Sequence, residues 1–181
     1  MWSFNRQDLR ARRVRSVAAL ALAGTLALSL GGCFQPMYGG LAGEQLRDDL
    51  AAIKVEPVPD RLGHYLGNEL IFALNGTGST VIPKYRLVIT ARERVSSPLV
   101  DTVTARATAG TVLVDAEYKL YSVTDDQKPV LEGVAVAAQS YDRTSQRFAN
   151  QRAARDAEIR NAKVIADQIR TRLAAGLARK A

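Results

Sequence analysis

Lys84, Arg86, Arg92 and Arg94 fall at even positions of one alternating run, KYRLVITARER, which is the spacing that places side chains on one face of a strand. Guanidinium forks match phosphate and carboxylate groups. At about 3.3 Å per residue the four would form a cationic strip roughly 33 Å long. Such a strip suits the phosphorylated head of a lipid or an acidic partner strand. The plainer reading is a solvated face balanced by cross-strand acids such as Asp115 and Glu117. The rest of the chemical inventory is thin. His64 is the sole histidine and lies beside the apolar stripe of a helix, so it cannot supply a multi-histidine metal site. No G-x-S-x-G surrounds it, and no CxxC, P-loop or dinucleotide fingerprint occurs. Asp48-Asp49 and Asp125-Asp126 sit in lead-in or turn segments and read as solvated acids. No catalytic residue, metal ligand or cofactor is therefore expected, and the chain reads as a non-enzyme. A periplasmic hydrolase built on Asp or Ser is the enzymatic competitor, and it lacks a nucleophile motif.

Cys33, the only cysteine, takes its meaning from what precedes it. Residues 1–15 carry five arginines against Asp8, Ser16 to Leu30 runs without a charge, and Leu30-Gly31-Gly32-Cys33 closes the run. That is the order of a secretory signal. Fifteen residues span about 22 Å as a helix, short of a ~30 Å hydrocarbon core, so a membrane-spanning anchor fits poorly. The Leu-Gly-Gly-Cys ending resembles the lipobox of bacterial lipoproteins, in which the thiol is acylated and the chain is cut before the cysteine. The expected organisation is a cleaved signal over 1–32, a lipidated tether over 33–50, and one α+β domain over 51–181. Phe34 stands where Asp would favour inner-membrane retention, which points to the outer membrane, facing the periplasm. The net charge of +7 is largely export signal, because the chain from Cys33 onward keeps 20 Lys+Arg against 17 Asp+Glu. Secretion and this modest balance exclude nucleic acid as a partner.

The elements that would position the strip follow from periodicity. Residues 34–50, with Pro36 and three glycines, read as an extended lead-in. Ala51 to Val58 predicts a short strand stopped by Pro57 and Pro59. Asp60 would cap a helix with Leu62, Leu66, Leu70 and Leu74 on its buried face, Gly63 and Gly67 allowing close packing, and Asn75-Gly76 as its stop. Three alternating strands follow. Lys84 to Val95 points Tyr85, Leu87, Ile89 and Ala91 one way. Arg106 to Val123 points Val112, Val114, Ala116, Tyr118 and Leu120 inward, with a bulge expected at Gly110. Val130 to Tyr141 places Val130, Val134, Val136 and Ala138 on a shared face. A long helix from about Ser145 to Ala178 buries Ala162, Ala166, Ile169, Leu173 and Leu177, with Asp156/Arg160 and Lys163/Asp167 as i,i+4 pairs. The fold class is α+β and two-layer, a four-stranded mostly antiparallel sheet covered on one face by two helices.

Cys33-Phe34-Gln35-Pro36-Met37-Tyr38-Gly39 resembles the start of mature members of the LptE family, lipopolysaccharide-assembly lipoproteins also called rare lipoprotein B. Members open with Cys-Gly-Phe-x-Pro-Leu-Tyr or a close variant; this chain lacks the extra Gly and has Met37 for Leu. The order of elements continues the resemblance to the C-terminus. It implies a non-catalytic plug and assembly factor for the LptD-type outer-membrane β-barrel, assisting insertion of lipopolysaccharide into the outer leaflet. Barrel, lipopolysaccharide and the outer membrane are the implied partners, with lipidation at Cys33. Lys84, Arg86, Arg92 and Arg94 remain candidate contacts on periodicity alone. The competing binding module is the auxiliary lipoprotein of a phospholipid-trafficking ABC transporter, from which Phe34, Pro36 and Tyr38 discriminate.

Overall fold

The computed structural model describes residues 40–76, 81–97 and 108–179. Cys33, the signal and the Phe34–Tyr38 motif lie outside the described residues. The elements are α1 (Gly40–Ala51), β1 (Ile53–Val55), α2 (Asp60–Asn75), β2 (Tyr85–Ser96), β3 (Ala109–Ser122), β4 (Leu131–Asp142) and α3 (Arg147–Ala178). The sheet order is β1-β2-β3-β4; β1 runs parallel to β2 and the other two pairs are antiparallel.

The lead-in is helical from Gly40 rather than extended. Leu46 and Leu50, one helical turn apart, are both buried in the main core, and that burial outweighs the glycine-rich composition. A third helix therefore joins the two expected, packing against both α2 and α3. Asp60 does not cap α2 with its side chain. Pro59 holds the N-cap position, and Asp60 adopts φ 70°, a left-handed conformation that aspartate tolerates better than most residues.

One face of the sheet is covered. Leu66, Leu70, Leu87, Val112, Val114, Leu120, Ile165, Ile169 and Leu173 are all fully buried between sheet and helices. Truncating one such leucine to alanine costs about 2–5 kcal/mol. A Cβ on Gly63 would meet the Val58 carbonyl oxygen at 2.6 Å, so this glycine seats α2 against the strand exit, whereas Gly67 faces open space. Gly110 makes no bulge, because the β2–β3 and β3–β4 registers run without interruption. It faces Tyr141 across the ladder, and Gly133 faces Tyr118; each glycine leaves room for its partner's ring.

Val134, Val136 and Ala138 do share a face of β4, and it is the uncovered one, with Val134 and Val136 about half exposed. The covered face of β4 is carried by Ala135 and Ala137 instead. Small residues there let α3 approach closely, and α3 then reaches round the free edge of β4. Arg172 donates to the Val134 carbonyl, Gln168 to that of Val136 (3.1 Å), and Arg160 to that of Ser140 (3.2 Å). Four helical residues advance about 6 Å and two strand residues about 6.8 Å, so the two rows stay nearly in step. The Asp156–Arg160 pair forms at 2.8 Å, while no ion pair joins Lys163 and Asp167.

Candidate functional site

β2 carries the basic strip on the uncovered face, with Leu87 and Ile89 buried between its members. The strip is mostly neutralised. Lys84 turns its amine to Asp49 of α1 at 2.8 Å, and that hydrogen bond raises its pKa. Arg86 bonds Asp126 in the β3–β4 turn, which raises its pKa, and lies 5.1 Å from the centroid of the Tyr121 ring. Arg94 bonds Asp115 at 2.5 Å, on the diagonal, since the residue directly opposite Asp115 is Arg92. Arg92 alone has no ion-pair partner among the described residues. His64 is exposed and shares a 3.2 Å hydrogen bond with Asn68.

Sequence reasoning placed the bounds of α2 and the proline stop after β1, but missed the edge of β2 that the short β1 leaves open. The Glu56 N–H donates to the Leu87 carbonyl at 2.9 Å. Pro57 and Pro59, which have no N–H, then carry the chain off into α2. The parallel ladder ends there. Even-numbered residues of β2 face β3, as the Val123 N–H to Lys84 carbonyl bond of 3.0 Å shows. Odd-numbered ones face the β1 side, as Tyr85 and Leu87 do. Ile89, Ala91, Glu93 and Val95 therefore aim their N–H and C=O groups at an edge with no strand beside it among the described residues. A cleft of about 700 Å³ adjoins this edge, lined by Pro59 to Gly63 of the α2 start, by Ala91 to Arg94, and by Asp115.

Arg61 holds the α2 start in place. It grips Glu158 of α3 with two hydrogen bonds, 2.8 and 2.5 Å, and the first effect of that bonding is a raised Arg61 pKa. Glu158 is only 3% exposed. A carboxylate this buried requires its partner. Desolvation lifts the Glu93 carboxyl above its ordinary value, and the charge of Glu158 adds to the lift. The signal was legible: Glu158 and Asn161 interrupt the apolar stripe of α3, and a polar residue at a core position implies a buried partner. Asn161 is fully buried and donates to the Val112 carbonyl at 2.9 Å. Behind the Arg61–Glu158 pair, Phe148, Arg152 and Arg155 line a second, smaller hollow. Among the described residues no group of three or more His, Cys, Asp or Glu could hold a metal ion, and no helix is long and apolar enough to cross a membrane.

The arrangement offers hydrogen bonds and ion pairs, with two features able to engage something external: Arg92 on the sheet face and the open edge of β2. The family model LptE, described as lipopolysaccharide-assembly, matches residues 50–173, from the last turn of α1 through all four strands to the C-terminal part of α3. No curated protein matches. Among solved structures, a candidate lipoprotein from Caulobacter crescentus CB15 aligns with 22% identity and a TM-score of 0.61, covering 75% of this chain and 97% of that one. A minor lipoprotein from Acinetobacter baumannii aligns with 17% identity and a TM-score of 0.51, covering 69% and 91%. At these identities the two structures show a shared fold.

Proposed function

The chain belongs to the LptE lipopolysaccharide-assembly family, and from that membership we propose that it is an outer-membrane lipoprotein that complexes an LptD-type β-barrel and assists insertion of lipopolysaccharide into the outer leaflet. The observation that carries the reading is the family match over residues 50–173, which takes in the whole sheet, α2 and most of α3. Its role is non-catalytic: it plugs the barrel and supports its assembly. The uncovered face, with Arg86, Arg92, Arg94, Asp115, Glu117 and Lys119 exposed or half-exposed, suits the hydrophilic lumen of a large barrel. Acylation of Cys33 would hold the protein on the membrane, since each buried CH₂ adds about 0.8 kcal/mol and more than one chain makes the anchor stable. Of the basic strip, Arg92 is the member free to meet a lipopolysaccharide phosphate or a barrel carboxylate.

The test is an affinity pull-down from detergent-solubilised outer membranes with C-terminally tagged protein, and Cys33→Ala in parallel. A stoichiometric partner of large-barrel size supports the reading, and loss of membrane fractionation in the variant supports the anchor. Recovery of transporter components without a barrel would favour the phospholipid-trafficking alternative. A quadruple alanine variant at Lys84, Arg86, Arg92 and Arg94 that folds, binds lipopolysaccharide and supports assembly normally would remove the strip from the proposal.

A further inference from the structure

We propose that the open edge of β2, from Ile89 to Val95, accepts an extended segment of another protein as a fifth strand, one that carries acidic residues at alternate positions. This goes beyond the barrel-plug reading, because it concerns strand addition at a defined edge and holds whichever protein supplies the strand.

Four residues, Ile89, Ala91, Glu93 and Val95, present their backbone groups to that side, and none is bonded there by a described residue. An unpaired edge of this kind is a template for another strand. Space is already provided: the cleft of about 700 Å³ runs between this edge and the start of α2. The Arg61–Glu158 pair ties the α2 start, one wall of this cleft, to α3. The other edge of the sheet is treated oppositely, with three α3 side chains bonded to the outward carbonyls of β4. A fold that shields one edge and leaves a cleft at the other has a directional preference built into it.

Charge selects the occupant. A strand beside β2 would set its outward side chains about 5 Å from Thr90, Arg92 and Arg94. Arg92 has no ion-pair partner among the described residues, because Asp115, its neighbour across the ladder, is bonded by Arg94. Acidic residues on the incoming outer face would complete these pairs. Its inward side chains would lie beside Ile89 and Ala91, where small apolar groups fit. A second copy of the chain is disfavoured by the same logic. Two β2 edges meeting antiparallel about Glu93 would set Arg92 against Arg94 across the joint and Glu93 against Glu93.

The experiment uses the full chain in mild detergent and two synthetic peptides of about eight residues, a length typical of strands, one alternating glutamate and valine and the other lysine and valine. Amide hydrogen exchange at Ala91, Glu93 and Val95 is followed by NMR. The glutamate peptide is expected to slow exchange at these amides by about tenfold or more, with the lysine peptide without effect. Glu93→Pro removes one edge donor while leaving the ladder to β3 intact, and should abolish the slowing. Should that variant fail to fold, Arg92→Glu serves instead and should lose the preference for the glutamate peptide. The proposal is overturned by equal or no slowing with both peptides, by amides already protected before peptide is added, or by sedimentation showing a dimer that protects the same amides.

Discussion

The two edges of this sheet face the same physical problem and meet it in opposite ways. Along β4, α3 supplies Arg172, Gln168 and Arg160 to consecutive or near-consecutive outward carbonyls. Along β2, β1 stops after three residues, two prolines turn the chain away, and the edge beyond adjoins a cleft at Ala91 to Arg94. The closed edge needs side chains long enough to reach past the sheet from a helix running antiparallel to β4. The open edge needs a helix start held at a distance. The two helices meet the sheet margin differently: α3 bonds the edge of β4 directly, whereas the start of α2 is bonded to α3 through Arg61 and Glu158.

Removing that pair should give the largest effect. Arg61→Met leaves a buried carboxylate without its two donors. Breaking a fully buried pair costs about 3–5 kcal/mol. Arg61 is itself 56% exposed in its side chain, so water offsets part of the loss, and the expected destabilisation is about 2 kcal/mol. Thermal unfolding should show Tm falling by roughly 4–8 °C. The double variant Arg61→Met/Glu158→Met should recover most of the loss, because no charge is then left buried. A double variant as unstable as the single one would mean that the pair does not position α2 through its charges.

The closed edge is broken by Gln168→Leu and Arg172→Leu. Each removes one hydrogen bond to a partly solvated carbonyl, worth about 1 kcal/mol. The larger consequence is an exposed β4 edge bordered by the half-exposed Val134 and Val136, and a raised tendency to associate edge to edge. Sedimentation at increasing concentration should show self-association in the double variant and none in the parent chain. If both remain equally monomeric, the α3 side chains are not shielding that edge.

How much of this contrast could be read in the sequence depends on the range of the interaction. The covered face of β3 was legible because Val112, Val114, Ala116, Tyr118 and Leu120 alternate without interruption, and all five are buried. The buried stripe of α3 from Ala162 to Leu177 was legible from its spacing of three and four, and its five residues Ala162, Ala166, Ile169, Leu173 and Leu177 are buried. α1 was not, because two glycines and a proline nearby outweighed Leu46 and Leu50 in local composition, while their burial depends on α2 and α3. The face of β4 was ambiguous, since alanines lie inward and valines outward, against the usual order of hydrophobicity. Close approach of α3 explains it, and no local pattern reports that. The basic strip was placed on the right face, but its partners Asp49 and Asp126 come from α1 and a turn, outside the cross-strand rule that pointed to Asp115 and Glu117.

The smallest effect probes the open edge directly. Glu93 points toward the cleft side of β2, and desolvation with the nearby charge of Glu158 holds its pKa above the ordinary 4.5. A carboxyl whose folded pKa exceeds its unfolded value binds its proton more tightly in the native state. Its ionisation therefore weakens the fold: the associated stability is fully present below the unfolded pKa and is lost as pH rises through the folded one. Glu93→Gln removes this loss, so at neutral pH the variant should melt about 1 °C above the parent, a small gain because the group is largely in contact with water. As pH falls below about 4.5 the two proteins should converge, since the parent's Glu93 is then neutral in both states. A strand seated on the β2 edge would desolvate Glu93 further and widen the difference, so the same pair of proteins measured with and without the glutamate peptide reports whether the edge is occupied. An unchanged gap with peptide bound would place the peptide elsewhere.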